Sequence, residues 1–436
     1  MRPGARVHSA IAVLDDILHR HRPAAQALAD WAKASRFAGS SDRAAVGNLV
    51  YDALRRKTSI AAQMESDTPR ALVLGAAGRA LGLSAEAVAA AADGSPHVPD
   101  PLTADETAGL TRSLPADAPG WVRGDFPQWL APAFARAFGA AAAEEGAALA
   151  RRAPVDIRVN TLKATREKVL KALSGLKPAP CELSPAGIRL PAPEGAARQP
   201  NVEAEPAHAK GWYEVQDEGS QIAALLAGAA RRALVLDICA GAGGKTLAMA
   251  AAMGNSGQIY AYDRDKARLR PIFERLKRAG VRNAQVLPAG DEAALSGLGA
   301  RFDLVLADAP CTGTGVWRRR PDSKWRLKPH DIIDRQAEQR AILALAAPLV
   351  KPGGRLVYAT CSILPEEGAD QMDAFLAAHA DFACVPTAAA WTEAGLAEPP
   401  PASADGRTDS LLLTPARHGT DGFFIAVLRR AGGALA

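Results

Sequence analysis

Residues 302–326 read FDLVLADAPCTGTGVWRRRPDSKWR. Leu304 to Leu306 is a short apolar, β-prone run bounded by polar and turn-forming residues, the pattern of a buried parallel strand. The run leads into a carboxylate, Asp308, and then a thiol, Cys311. In open α/β sheets that edge, the carboxyl ends of the strands, is where ligands bind. A glycine-spaced turn follows, then Arg318, Arg319, Arg320, Lys324, Arg326 and Lys328, with Trp317 and Trp325 among them. A carboxylate and a thiol beside a basic, tryptophan-bearing loop point to chemistry on something anionic with flat rings, a description that nucleic acid fits.

On both sides of this stretch, from Trp212 onward, strands and helices alternate. Strands are expected at Ala233–Ile238, Gln258–Tyr262, Ala284–Leu287, Asp303–Ala307 and Arg355–Ala359, with Gly422–Leu428 last. Helices are expected at Glu218–Leu226, Thr246–Ala252, Lys266–Ala279 and Asp331–Val350. Such alternation predicts an α/β domain with a doubly wound, mostly parallel, Rossmann-like sheet over 211–436. Residues 116–210 read as a small α+β module: a helix over 128–152 stopped by Pro154, a strand from Asp156, a helix over Arg166–Leu173, then Pro/Gly-punctuated loops. Residues 1–115 read as all-helical. Ile11, Leu14 and Leu18 fall at helical spacing, as do Val46, Leu49, Val50 and Leu54 after a Ser41-Asp42 cap signal. Arg20, Arg22, Arg43, Arg55, Arg56 and Lys57 offer a basic face, equally readable as solvated helix surface. Residues 93–120, rich in Pro, Gly, Asp and Ser, read as a linker or loop-rich seam.

Composition narrows the class. A chain of 436 residues exceeds one ordinary core, and its 48% hydrophobic content suffices for globular folding. The formal charge of +5 is compatible with a polyanionic partner, and equally with a mildly basic soluble protein. Five cysteines, Cys181, Cys239, Cys311, Cys361 and Cys384, form no C-x-x-C pair and are odd in number. That argues against a metal site or a disulfide framework and for a reducing compartment. Asp15-Asp16 interrupts any signal-peptide apolar core, and no run reaches the ~18 apolar residues of a membrane span. A cytoplasmic protein without membrane contact is expected.

The first constellation is residues 236–246, LDICAGAGGKT, between an expected strand and helix. Glycines there admit close backbone approach to a ligand, and the helix N-terminus favours polar or anionic groups. A phosphate-cradling P-loop requires glycine where Cys239 stands, and the dinucleotide fingerprint requires a third glycine where Thr246 stands. S-adenosylmethionine, which carries no phosphate, is preferred over a nicotinamide cofactor. Asp263, ending the next strand, is placed for its ribose hydroxyls, and Asp291, after the third, for its adenine.

The second constellation is a cysteine pair. Cys361 in Val357-Tyr-Ala-Thr-Cys-Ser362 and Cys311 in Asp308-Ala-Pro-Cys311 each stand just past an apolar strand. If the two strands are neighbours, their ends lie ~5 Å apart and both thiols face one crevice. A free cysteine is usually a small buried hydrophobe, and Cys181, Cys384 and the Cys239 thiol are read that way. Methylation of a pyrimidine ring carbon needs a thiol: carbon 5 of cytosine becomes nucleophilic once a thiolate adds to carbon 6. Asp308 is placed as the acid near ring N3. The base must be unstacked to be reached. The 318–328 loop would then grip phosphates, with Trp317 or Trp325 stacked on a base unless both are core residues.

These motifs together resemble the Sun-type RNA cytosine-5 methyltransferases, the ribosomal small-subunit branch above all. The resemblance rests on Arg158-Val-Asn160, Gln216-Asp217-x-x-Ser220, the Asp237 to Thr246 turn, Asp308-Ala-Pro-Cys311, Thr360-Cys-Ser362 with Glu366-Glu367, and Gly422-Phe-Phe424. It covers roughly 120–430, and the first hundred residues look NusB-like, an RNA-binding domain. The resemblance implies a class I S-adenosylmethionine methyltransferase fold, with Cys361 as nucleophile and Cys311 assisting release. Cys239, Ala240, Gly241, Ala242, Gly243, Gly244 and Lys245, with Asp263, Asp291 and Asp308, would line the cofactor and target-base site. Arg318, Arg319, Arg320, Lys324 and Arg326 would bind RNA. The family often has Ala-Pro where this chain has Gly241-Ala242, which predicts a more flexible turn. The implied substrate is small-subunit ribosomal RNA and the implied state a monomer. A transfer RNA methyltransferase and a non-catalytic RNA-binding factor are the alternatives.

Overall fold

The computed structural model describes residues 1–432, which divide into two compact units. The first comprises Met1–Ala153, Ala192–Gln199 and Trp317–Leu327. Its principal helices are Pro3–Arg20, Ala24–Ala34, Ser40–Arg55, Lys57–Met64 and Pro69–Leu81. Pro3 starts the first helix, where a missing N–H costs nothing. That helix turns Val7, Ala10, Leu14 and Ile17 inward at three- and four-residue spacing, against Leu49, Val50 and Leu54 of the third. The cap of the third helix differs from the expectation. It begins at Ser40, and Asp42 accepts the Gly39 N–H at 3.2 Å.

This compact unit continues past residue 115. Residues 93–120 are not merely a linker, because they carry the helix Ala104–Thr111, capped by a Thr103–Glu106 box and packed on the same helices. The unit runs on to Ala153 through two helices, Ala131–Phe138 and Ala142–Leu149, broken at Gly139, whose φ is +54°. It also takes in residues 317–327, the basic stretch that follows the Cys311 turn in sequence.

The second unit comprises Pro154–Pro191, Pro200–Val316 and Lys328 to the end of the described chain. It holds two sheets. The smaller has β1 (Val155–Val159), β2 (Ala179–Pro180), β3 (Gly187–Leu190) and β4 (Tyr213–Val215) in the antiparallel order β2-β3-β1-β4. The larger has β5 (Leu234–Asp237), β6 (Gln258–Ala261), β7 (Ala284–Val286), β8 (Phe302–Asp308), β9 (Val350–Thr360), β10 (Phe382–Cys384), β11 (Leu411–Leu413) and β12 (Phe423–Arg430). Its order is β10-β12-β9-β8-β5-β6-β7, with β11 beside β12. The strands from β9 through β7 are parallel, and β12 runs antiparallel to β9. The doubly wound sheet expected from the alternation is present.

Strand order reverses between β5 and β8, so a crevice opens at their carboxyl ends. Val235, Leu304, Leu306, Val357 and Ile425 share one face of the sheet and form a buried layer there. The expected Lys266–Ala279 helix is two helices, Lys266–Leu269 and Ile272–Ala279, because Pro271 cannot donate to the ladder.

Candidate active site

At the end of β5 the chain enters a turn that leads into the helix Gly244–Ala252. Asp263, just past β6, pins that turn: its Oδ2 accepts the Gly241 N–H at 2.9 Å, and Ala240 N–H donates to Tyr262 O at 2.8 Å. The Gly241-Ala242 departure therefore does not leave the turn loose. Gly243 has φ +84°, and a Cβ there would lie 2.5 Å from Ile272 Cγ1, so only glycine fits. Gln216, Asp217, Asp237, residues 239–242, Gly244, Lys245, Arg268 and Asp308 line a cavity of about 340 Å³.

Asp237 is buried in the cavity wall. Thr246 Oγ1 donates to its Oδ2 at 2.6 Å, while Oδ1 has no hydrogen-bond partner among the described residues. Burial, opposed by Thr246 and reinforced by Asp308, pushes its carboxyl up to about 7. Lys245 Nζ donates to Asp308 Oδ2 at 2.5 Å, pairing the residue after the glycines with the end of β8.

The cavity lining includes three carboxylates, Asp217, Asp237 and Asp308, balanced by three cations, Lys245, Arg268 and Arg275. Asp237 Oδ1 leaves one acceptor to be satisfied. Asp263 lies against the turn and outside the lining. Asp291 also lies outside it: exposed, it caps the helix Glu292–Ser296 by accepting the Ala294 N–H at 2.9 Å.

β8 and β9 are adjacent and parallel, with Asp308 opposite Ala359. Ala309 N–H still donates to Ala359 O at 2.8 Å, so the ladder extends past the strand end. Cys311 and Cys361 therefore leave the sheet side by side, with their sulfurs 3.3 Å apart and both partly exposed. The Cys361 sulfur, and then removal from water, push the Cys311 thiol well up. The Cys311 thiol therefore holds its proton. The Cys239 thiol is buried, and that burial pushes it well up too.

The turn after Cys311 is held from several directions. Thr312 donates its N–H to Glu367 Oε1 at 2.8 Å and its hydroxyl to Oε2 at 2.5 Å. Gln339 Nε2 donates to Pro310 O and to Glu367 Oε1. Gly315 N–H donates to Cys361 O at 3.0 Å, and Gly422 N–H to Gly315 O at 2.8 Å. A Cβ on Gly315 would stand 2.1 Å from Gly422 O.

Sequence reading quoted Glu367 and Arg158 as motif members without giving them tasks. Arg158, buried on β1, donates to Gln216 Oε1 and to Gly244 O at 2.8 Å, bracing the glycine turn. Burial lowers its guanidinium to about 10. Gln339 carried no signal at all, since it sits within the long helix Pro329–Ala346.

The basic stretch divides. Arg320, Arg326 and Lys328 are exposed, and Arg326 pairs with Asp322 at 3.0 Å. Arg319 is half-buried and Arg318 buried. Lys324, expected on phosphate, is buried instead and donates to Arg55 O and Asp125 O. Burial pushes its ammonium down to about 7. Trp317, expected as one of two candidates to stack on a base, is a core residue stacked on Phe134 at 6.0 Å. The Trp325 indole N–H is spent on Leu54 O at 2.6 Å. No helix among the described residues is long and apolar enough to cross a membrane.

Residues 224–429 match the family described as 16S rRNA methyltransferase RsmB/F, and residues 126–196 its ferredoxin-like domain. A probable ribosomal RNA small subunit methyltransferase B of Synechocystis is 35% identical over 319 residues, 70% of this chain and 67% of that protein. A ribosomal RNA small subunit methyltransferase B of Sodalis glossinidius is 37% identical over 64% of each chain. The chain thus spans about two thirds of the length of these relatives. Among solved structures, PH0851 aligns over 99% of both chains with a TM-score of 0.73 at 25% identity. NSun6 from Pyrococcus horikoshii, solved with SFG, aligns over 70% of this chain and 98% of that one with a TM-score of 0.61 at 25% identity.

Proposed function

The chain belongs to the RsmB/F family of 16S ribosomal RNA methyltransferases, and from that premise we propose that it methylates carbon 5 of a cytosine in small-subunit ribosomal RNA through a covalent cysteine–cytosine intermediate. The observation that carries this reading is the 3.3 Å pairing of the Cys311 and Cys361 sulfurs past the ends of adjacent strands, the first of which ends in Asp308 of the cavity lining. Methylation of a nitrogen or hydroxyl needs no thiol; methylation of the ring carbon does.

S-adenosylmethionine supplies the electrophilic methyl group. Residues 239–245 with Asp237 and Asp308 hold it, in a pocket whose carboxylates suit a cationic sulfonium and its hydroxyls. Asp263 acts by fixing the turn. Cys361 attacks carbon 6 as the thiolate, with the Cys311 thiol as its hydrogen-bond donor. The electron pair shifts to carbon 5, and Asp308, protonated at that step, donates to ring N3 where the negative charge develops, with the Lys245 ammonium beside it. After methyl transfer the carbon 5 proton is lost to a base, the carbon 6–sulfur bond breaks, and aromaticity returns. Cys311, next to the departing sulfur, assists that step.

Transfer of tritium from labelled S-adenosylmethionine to RNA, followed by bisulfite sequencing of RNA from a deletion strain, tests the reading. The expected result is loss of one cytosine mark in the 16S ribosomal RNA. A mark lost from a transfer RNA instead moves the substrate, and no tritium in any RNA ends the proposal.

A further inference from the structure

Within the helical unit, which does not contain the cysteine pair, four stretches distant in sequence converge on one cleft of about 930 Å³. The helix Ser40–Arg55 supplies Arg43 and Arg55, the end of the 142–153 segment Arg152, the 192–199 loop Arg198, and the 317–327 segment Arg318 and Arg319. Among the residues that line it are six arginines and no carboxylate, with Arg43 and Arg198 exposed and Arg318 buried. The convergence is built. Asn48 Nδ2 donates to Gly195 O at 3.3 Å and Ala197 O at 3.2 Å, tying the loop to the helix. Arg152 donates to Gly195 O at 2.7 Å, and Arg55 donates twice to Arg318 O at 3.2 Å. Asp52 beneath accepts from Arg55 at 2.8 Å and from Arg152 at 2.6 Å, fixing both forks. Space above Gly47 is open, so the helix backbone itself forms part of the floor.

Gathering like charges is costly. Burial pushes the Arg55 guanidinium down, with Arg152 adding to it against the pull of Asp52. An anion that enters the cleft relieves that repulsion. The volume lies near the top of the ~300–1,000 Å³ range of small-molecule pockets and exceeds what a single inorganic ion fills. Guanidinium forks match phosphate oxygens in pairs. We propose that this arginine cleft is a docking site for consecutive phosphates of the RNA substrate, holding the molecule by its backbone without reading sequence. The inference rests on the proposed RNA substrate.

The test uses full-length protein and a 16S ribosomal RNA transcript, with Arg43→Gln/Arg198→Gln compared with the wild type by titration at several salt concentrations. Both side chains are exposed, and S-adenosylhomocysteine binding checks that the variant is folded. The expected result is RNA affinity weakened tenfold or more, and a log–log salt slope shallower by roughly 1.5, at ~0.7–0.9 for each phosphate no longer neutralised. Arg43→Lys/Arg198→Lys restores most of the affinity. Unchanged affinity and slope in the glutamine variant overturn the proposal. So does displacement of the RNA from the wild type by inorganic triphosphate or poly-glutamate at equal charge concentration, which marks a site for small anions or acidic peptide. If the wild type methylates RNA while the variant binds it normally, the cleft falls and the function stands. If the wild type methylates no RNA yet the variant loses affinity, the function falls and the cleft stands.

Discussion

Thr312 gives both of its donors to one side chain: its N–H to Glu367 Oε1 at 2.8 Å and its hydroxyl to Oε2 at 2.5 Å. Glu367 is buried and adds Gln339 Nε2 at 3.1 Å, so a single carboxylate sets where the residue after Cys311 stands. Glu367→Gln puts an amide against one of those donors. Methyl transfer is expected to fall by ~10–100-fold, the cost of misplacing a reacting group by about an ångström. S-adenosylhomocysteine affinity, measured by calorimetry, should stay within a factor of a few. Equal loss of both would make Glu367 a general stability residue.

The two cysteines are expected to fail differently. Cys361→Ala removes the attacking sulfur and abolishes methyl transfer. Cys311→Ala keeps the attack but slows exit, so a protein–RNA adduct that survives denaturing electrophoresis accumulates in the presence of S-adenosylmethionine. An adduct in the first variant, or none in the second, reverses or removes these roles.

Gly315 and Gly422 meet backbone to backbone, and Gly315 N–H also reaches Cys361 O. Gly315→Ala forces its methyl to within 2.1 Å of Gly422 O unless the turn moves. A melting temperature lowered by several degrees and a large drop in kcat are expected, because the displaced turn carries Cys311. Wild-type melting and turnover in this variant would show that the close approach of the two glycines does not hold the turn.

Asp237 gives a pH signature. Its carboxyl stands at about 7 in the folded chain, against ~3.9 for an unperturbed aspartate, so between those values the folded state binds the extra proton. Stability from this group is therefore fully present below about pH 4 and lost as pH rises to 7. Asp237→Asn keeps an acceptor for Thr246 and removes the titration. The melting temperature of the variant relative to wild type should be higher by a few degrees at pH 8 than at pH 5. A difference independent of pH would contradict the burial argument.

Much of the site was legible in order along the chain. Short apolar runs ending in Asp308, Thr360-Cys361 and the 238–244 turn are local signals, and strand ends project their next residues to one edge of a parallel sheet whatever the rest of the fold. The adjacency of β8 and β9 follows from neither run alone; the two sulfurs stand 3.3 Å apart because the sheet placed them side by side. Composition marked residues 317–328 as basic and aromatic but could not say which way each side chain points. Trp317 and Lys324 turn inward because Phe134, Asp125 and the Arg55 carbonyl wait there, partners about two hundred residues away or more. The same holds for Arg158 at Gly244 O, Glu367 at Thr312 and the six arginines of the cleft. By itself the sequence determined the alternation of elements and the chemistry at the strand ends, since periodicity and turn residues are local physics. Only the tertiary structure decided which charges are spent on holding the fold and which face the solvent, because a polar side chain's role is set by the partner that chain folding brings to it.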